Sequence, residues 1–302
     1  MPNWKEILDE INAAGSTHDV IRRKYLEKLH QVTGRNVIIY YSGWLQKPVL
    51  PGVEVNDNDK NGLMNTIYKM DISKGLDLIL HTPGGDSAAT ESIVDYLHSI
   101  FGYNIRAFVP QLAMSAGTMI ACACKEIIMG LHSSLGPVDP QIMGLPAHGV
   151  VEEFNRAIDE VKKDPSRIPI WQPIIAKYNP TFIGECEKAI AWSSEMVTTW
   201  LTEGMFSGQE KPKERAGKVV KELTDHALTK SHARHLSYQK CKDIGLEVKL
   251  LEDTPDLQDA VLSVHHACIH TFSATGAYKI IENQSGQAFI QIIKQVVVQA
   301  QR

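Results

Sequence analysis

Two turn segments carry the residues best suited to chemistry. In the first turn, Gly84 and Gly85 follow an apolar run. In the second, Ser115 is followed by the small residues Ala116 and Gly117. A serine hydroxyl can attack a carbonyl carbon, and glycine lets a substrate oxygen approach backbone N–H groups closely. If Ser115 stands at the start of a helix, the free N–H groups there favour a developing oxyanion. The turns therefore predict a nucleophile, Ser115, and an oxyanion hole formed by the N–H groups of Gly85 and Ala116.

These turns come at the ends of predicted β-strands. Short apolar or β-branched runs alternate with helical patterns, and the predicted strands cover residues 37–41, 76–81, 105–109 and 126–129. Such alternation is typical of right-handed crossovers and a largely parallel sheet. Ligands of an open parallel sheet bind beyond the carboxyl ends of the strands, so both turns are expected to meet at that edge.

Several stretches resemble known proteins. The Gly84-Gly85 turn and residues 114–117 are similar to motifs of the ClpP-like serine peptidases, in which the first motif gives an oxyanion-hole amide and the second carries the nucleophile. Residues 130–141 more specifically resemble the serine dehydrogenase proteinase (SDH) family, a distant branch of that superfamily. Shorter similarities to bacterial members of this branch lie at 22–26, 33–36, 40–44, 204–206 and 279–283.

The resemblance implies a fold and an activity. The implied fold is α/β, a ClpP/crotonase-like spiral of β-β-α units with a mostly parallel sheet and helical N- and C-terminal extensions. The implied activity is that of a serine peptidase, ATP-independent by itself, acting on peptide or protein substrates. Because this fold usually assembles into rings or stacked trimers, the resemblance also implies a homo-oligomer.

A serine nucleophile needs a general base and a group that orients the base. ClpP peptidases proper place a histidine in the region that here contains Asp139, so their order of triad residues fails in this chain. The SDH branch has the order Ser, Asp, His, which implies Asp139 as the acid. For the base, His232 matches the family segment best, with His235 and His226 as alternatives.

Other mechanisms and functions remain open at this point. Lys162 and Lys163 are rival bases, since relatives of this fold use a Ser–Lys dyad, but their charged run is typical of a solvated helix face. A crotonase-type acyl-CoA enzyme would use the same two amides without a nucleophile. A catalytically silent scaffold of the same fold is the third possibility. Ser115 at a helix start, opposite a Gly-Gly turn, favours the hydrolase.

Composition argues against several other classes. The net charge is −4 over 302 residues and no basic block stands out, so we expect no nucleic-acid partner. The five cysteines show no disulfide framework or metal knuckle. The chain contains no signal-peptide pattern and no apolar run long enough for a membrane span, so we expect a cytoplasmic protein.

Cofactors are not expected either. The chain has no Gly-x-Gly-x-x-Gly fingerprint after a strand. His266 and His270 have the spacing of a metal-binding pair, but residues 264–272 contain no acidic residue to complete a catalytic zinc motif. We therefore predict neither a metal nor an organic cofactor.

Domain organisation is predicted in three parts. Residues 1–35 form a helical N-terminal extension, 36–251 the ClpP/crotonase-like catalytic domain, and 252–302 a helical C-terminal segment. A long helix is expected over 182–203, and the apolar tail from Gly286 to Gln301 is also expected to be helical. Within that tail, residues 288–298 could pack on their own domain or against a neighbouring subunit.

Overall fold

A computed structural model describes residues 4–13, 18–224 and 234–293 of the chain. Its strands, in chain order, are β1 Asn36–Ser42, β2 Leu76–His81, β3 Ile105–Val109, β4 Leu112–Ala113, β5 Glu126–Met129, β6 Ser134–Leu135, β7 Gln141–Ile142, β8 Leu145–Pro146, β9 Leu236–Ser237, β10 Val248–Leu250, β11 Ala277–Asn283 and β12 Ala288–Ile292. Its α-helices are α1 Trp4–Ala13, α2 His18–Thr33, α3 Asp59–Ile67, α4 Ser87–Phe101, α5 Ala116–Cys122, α6 Ala147–Lys163, α7 Ile168–Ile175, α8 Phe182–Glu203, α9 Pro212–Thr224, α10 Tyr238–Asp243 and α11 Pro255–Ala274.

The central sheet has seven strands in the order β10-β5-β3-β2-β1-β11-β12. The pairings from β10 across to β1 are parallel, and β11 and β12 join antiparallel at the other end. The expectation of a mixed α/β fold with a mostly parallel sheet is confirmed. A smaller sheet, β4-β6-β9, lies beside it, and β7 and β8 form a hairpin.

Helices cover both faces of the central sheet. Alternate residues of β1 point to opposite faces: Ile38 and Tyr40 belong to one apolar cluster, and Val37, Ile39 and Tyr41 to another. The first cluster includes residues of α3, α4, α5, α8 and α9, and the second includes residues of α2 and α11. Because both faces are covered, β1 and β2 are buried along their whole length, which explains their nearly continuous apolar sequences.

Most predicted elements lie where the sequence pattern put them. The four predicted core strands match β1, β2, β3 and β5, and the long helix predicted over 182–203 is α8. His266 and His270, the possible metal pair, both pack against the Trp4 ring, with centroids 5.3 and 3.9 Å away. Their spacing on one face of α11 therefore serves the contact between α1 and α11.

The helix predicted from Gly286 to Gln301 is wrong over residues 288–292, which form strand β12. Gly286 has a φ of +78° in the turn after β11, and Asn283 Oδ1 accepts hydrogen bonds from the N–H groups of Ser285 and Gln287. The turn reverses the chain, so β12 pairs antiparallel with β11. Residues 252–302 were expected to be helical, but within their described part α11 is followed by this hairpin. Residues 294–302 lie outside the described part of the chain.

Buried ion pairs connect the terminal elements to the sheet. Arg22 of α2 donates from Nε to Glu282 of β11, and both side chains are fully buried. Lys279, also on β11, is equally buried and bonds to Asp59 at the start of α3. Within residues 4–13, 18–224 and 234–293, the helices lack the length and apolar character needed to cross a bilayer.

Candidate active site

The two glycine and serine turns lie against each other at the carboxyl ends of β2 and β3, as predicted. The Thr82 N–H donates to the Leu112 carbonyl at 3.1 Å, and the Met114 N–H donates to the Thr82 carbonyl at 3.0 Å. A Cβ at Gly84 would lie only 2.7 Å from both the Ser115 Cβ and the Met114 carbonyl oxygen. With a φ of +97° as well, position 84 requires glycine.

Ser115 stands at the N-terminal boundary of α5 with an unusual backbone. Its φ is +49° and its ψ −112°, a combination that L-residues rarely adopt and that costs about 1–3 kcal/mol. The side chain is half-buried and makes no capping hydrogen bond to α5 within the described residues. Ser115 therefore occupies a strained strand-to-helix turn whose side chain does not cap the helix that follows.

Ser115 lines a cleft of about 360 Å³. Gly84, Gly85 and Asp139 line the same cleft. Its other lining residues are Glu54, Pro83, Asp86, Ser87, Ala88, Met119, Val138, Pro140, Gln141, Ala189, Trp192 and Ser193. The cleft thus brings together the sequence-predicted nucleophile, the glycine turn and the sequence-predicted acid, although these are far apart along the chain.

The Gly85 N–H points away from its bridge partner, Val55. The Val55 N–H donates to the Gly84 carbonyl at 2.8 Å, and the Asp86 N–H donates to the Val55 carbonyl at 2.9 Å. In a parallel bridge of this kind the residue between the two bonded groups directs its own N–H to the opposite side. A Cβ at Gly85 would lie 2.4 Å from the N and O of Val55, so the close approach needs glycine.

Ala116 provides the second predicted donor. It is the first residue of α5, where backbone N–H groups have no intrahelical acceptor. The next N–H, of Gly117, donates to the Met114 carbonyl at 2.7 Å. Within the part of the chain that the structure describes, neither the Ala116 nor the Gly85 N–H donates a hydrogen bond.

Asp139 is buried, 3 % exposed, and its loop packs directly on the serine turn. A Cβ at Gly136 of that loop would lie 3.1 Å from the Ser115 nitrogen. On the other side of the loop, burial raises the pKa of the Cys186 thiol, and the nearby Asp139 carboxylate adds to the rise. The acid predicted from the sequence therefore lies in the cleft, between Ser115 and α8.

Sequence analysis missed two residues that hold the site together. Thr118 Oγ1 lies 2.9 Å from the carbonyl oxygens of Ala113 and Gly136 and accepts a hydrogen bond from the Gly136 N–H at 2.9 Å. Val55 holds the glycine turn, as described above. A threonine three residues after Ser115 was a weak signal for Thr118, and nothing in the sequence marked Val55.

The structure describes three of the five candidate bases, His235, Lys162 and Lys163. His232 and His226 lie outside the described residues. His235 is exposed, and Lys162 and Lys163 are exposed at the end of α6 and do not line the cleft. The described residues lining the cleft include no histidine or lysine.

The chain on either side of residues 225–233 is anchored beside the cleft. The Leu223 carbonyl accepts a hydrogen bond from the Val138 N–H at 2.9 Å. On the far side, β9 pairs antiparallel with β6, so Leu236 lies opposite Leu135. The first anchor, at Val138, lies on the loop that carries Asp139, and the second lies on β6, the strand that leads into this loop.

The mostly parallel sheet, with Ser115 facing a glycine turn at its edge, agrees with the ClpP-like class that the family match gives to this chain. The chain belongs to the family of ClpP-like SDH-type serine proteinases, whose sequence profile matches residues 16–265.

This chain is also similar to two curated proteins and to a solved structure. Two uncharacterized proteins of Methanocaldococcus jannaschii match it at 30% identity over 228 residues, covering 72% of this chain and 70% of theirs, and at 32% over 201 residues, covering 67% and 62%. Among solved structures, a mutant of the membrane-bound stomatin-specific protease 1510-N aligns with 68% of this chain and 78% of its own, with 19% identity and a TM-score of 0.41.

Proposed function

We propose that this protein is a serine peptidase in which Ser115 is the nucleophile and the N–H groups of Gly85 and Ala116 form the oxyanion hole. The observation that carries the proposal is the strained Ser115 backbone at the start of α5, in contact with Gly84 and open to the cleft. Membership of the SDH-type serine proteinase family supports the same reaction class.

The proposed reaction is acyl transfer in two steps. Ser115 Oγ attacks the carbonyl carbon of the scissile peptide while its proton passes to the general base. The carbonyl oxygen becomes an oxyanion that accepts hydrogen bonds from the Gly85 and Ala116 N–H groups, each worth about 3–4 kcal/mol of barrier. The C–N bond then breaks and the amine leaves with the proton from the base. In the second step the base takes a proton from water, which attacks the acyl carbon; the bond from this carbon to Ser115 Oγ then breaks, Oγ recovers the proton from the base, and the carboxylic acid leaves.

For the base we propose His232, oriented by Asp139. The burial of Asp139 in the cleft supports its role, because a buried carboxylate can hold an imidazole in one orientation. The anchoring of the flanking residues, at Leu223 and Leu236, supports a base from the intervening segment. A Ser–Lys dyad gains no comparable support, since Lys162 and Lys163 do not line the cleft.

A fluorophosphonate probe tests this proposal. We expect the wild-type protein to be labelled at Ser115, and Ser115→Ala to lose labelling and at least about 10⁴-fold of peptidase activity. Ser193→Ala is the matched control, because Ser193 lines the same cleft but donates its hydroxyl to the Ala189 carbonyl. Labelling that persists in Ser115→Ala would show that another residue is the nucleophile, and a wild-type protein that is never labelled would favour the crotonase-type enzyme or the silent scaffold.

Assembly and location are also part of the proposal. We propose a homo-oligomer, supported by the exposed isoleucines of α7, among them Ile168 and Ile170 at 47% and 62% exposure. Light scattering with size-exclusion chromatography measures the mass in solution, and a monomer would contradict this part. The five buried free cysteines are compatible with a reducing, cytoplasmic location.

A further inference from the structure

Lys279 and Asp59 form a buried ion pair next to Glu54, a residue that lines the cleft. Lys279 Nζ donates to Asp59 Oδ1 at 2.7 Å, to Asp59 Oδ2 at 2.9 Å and to the Glu54 carbonyl oxygen at 2.7 Å. Neither charged side chain is exposed to solvent. Burial lowers the pKa of the Lys279 ammonium group, and the Asp59 carboxylate opposes that change.

The pair grips the chain on both sides of Val55. On one side, the Glu54 carbonyl accepts from Lys279. On the other, the Asn56 N–H donates to Asp59 Oδ2 at 2.9 Å. Tyr40 Oη also donates to Asp59 Oδ2, at 2.6 Å, which fixes the carboxylate against β1.

Val55 in turn holds the glycine turn. Its N–H and carbonyl pair with the Gly84 carbonyl and the Asp86 N–H, the groups on either side of Gly85. The orientation of the Gly85 N–H therefore depends on where the Val55 backbone lies. A continuous series of hydrogen bonds leads from Lys279 through residues 54–56 to the proposed oxyanion hole.

We propose that Lys279 and Asp59 are positioning residues for the oxyanion hole, a role that rests on the proposed peptidase function. Replacing a buried ion pair by apolar residues of similar volume is often neutral or stabilising, so folding alone gives little reason for this pair. The pair instead fixes the position of the backbone at residues 54–56. A misplacement of about 1 Å in a catalytic group can cost about 10²-fold in rate, and here the isolated bridge between Val55 and Gly85 sets the position of the donor.

The test compares two double variants of the full-length protein. Lys279→Met with Asp59→Leu removes both charges of this pair without leaving one buried and unpaired. Arg22→Met with Glu282→Leu is the matched control. This ion pair is also fully buried and also joins β11 to a helix, but the helix is α2, and the pair makes no hydrogen bond with residues 54–56 in the described part of the chain. Peptide turnover gives kcat and KM, and amide hydrogen exchange reports on the Val55 and Asp86 N–H groups.

For the Lys279/Asp59 variant we expect kcat to fall about 10²-fold with KM changed less than about threefold, since the oxyanion forms only in the transition state. Exchange at Val55 and Asp86 should become faster in this variant and stay unchanged in the control. Unchanged kcat and exchange, or an equal loss in both double variants, would overturn the proposal.

If the double variant does not fold, Tyr40→Phe replaces it, because it deletes only one hydrogen bond to Asp59; unchanged kcat and exchange in Tyr40→Phe would overturn the positioning role. If the wild-type protein has no peptidase activity, the proposed function fails by itself. The exchange rates then still decide whether the ion pair holds the glycine turn.

Discussion

At the scale of single residues, the site depends on two backbone conformations that most side chains disfavour. Ser115 has a positive φ although it carries a Cβ, and Gly84 has a positive φ with no room for one. The surrounding hydrogen bonds offset the cost of the serine conformation, among them those that Thr82 makes with Leu112 and Met114. Strain that is held in this way fixes Ser115 among the residues that line the cleft.

Gly84→Ala should disable the site. The new Cβ would clash with the Ser115 Cβ and the Met114 carbonyl oxygen, each 2.7 Å away, so the two turns must separate. We expect kcat to fall by at least about 10²-fold, measured with a peptide substrate or by the rate of fluorophosphonate labelling. Gly144→Ala is the control, because Gly144 also has a positive φ, +77°, but open space around it. Equal activity in the two variants would contradict this account.

At the scale of elements, α5 and the small sheet bring three loops to one point. β4 follows β3 directly, β6 pairs with β4, and β9 pairs with β6. The serine turn, the Asp139 loop and the chain after residue 233 are thereby joined side by side. Thr118, one turn into α5, bonds to both the serine turn and the Asp139 loop.

Thr118→Val should loosen this junction without changing side-chain volume much. The Gly136 N–H would lose its buried acceptor, which costs about 1–3 kcal/mol of unfolding free energy. We expect reduced activity as well, since Gly136 packs on the Ser115 backbone. Thr198→Val, which removes only a hydrogen bond along α8, should change activity little. Chemical denaturation and peptide kinetics on both variants measure the difference.

At the scale of the whole molecule, helices cover both faces of the central sheet and so exclude water from polar groups beneath them. On the face covered by α2 and α11, His81 is buried against the rings of Tyr41 and Trp44. Burial lowers the pKa of His81 to about 3, although the Leu112 carbonyl opposes the change. His265, whose ring lies 5.4 Å from that of His81, also has its pKa lowered by burial.

The fold should therefore lose stability in acid. The ordinary histidine pKa is 6.5, so below that pH the unfolded chain binds protons that the folded chain excludes. This contribution is complete above pH 6.5 and is lost as the pH falls toward 3, at up to about 1.4 kcal/mol per pH unit for each such histidine. Urea unfolding between pH 7.5 and 4.5 measures it. His81→Phe should flatten the dependence, and an unchanged slope would contradict the assignment.

Local pattern was enough to predict most of the sheet and the two chemical turns. The runs that became β1, β2, β3 and β5 are buried on both faces, so their apolar character was continuous and easy to recognise. Gly84, Gly85 and Ser115 were recognisable because close approach and nucleophilic chemistry each require a particular residue type at a particular place.

The tertiary structure decided what depends on partners distant in the chain. Residues 288–292 are apolar and have no strong helix or strand period, and they became a strand because β11 offered a free edge. Val55, Thr118 and the pair of Lys279 with Asp59 are ordinary residue types whose roles come only from what they touch. Hydrogen bonds between segments more than 200 residues apart in the chain leave no periodic trace in either segment, so no reading of local sequence could have found them.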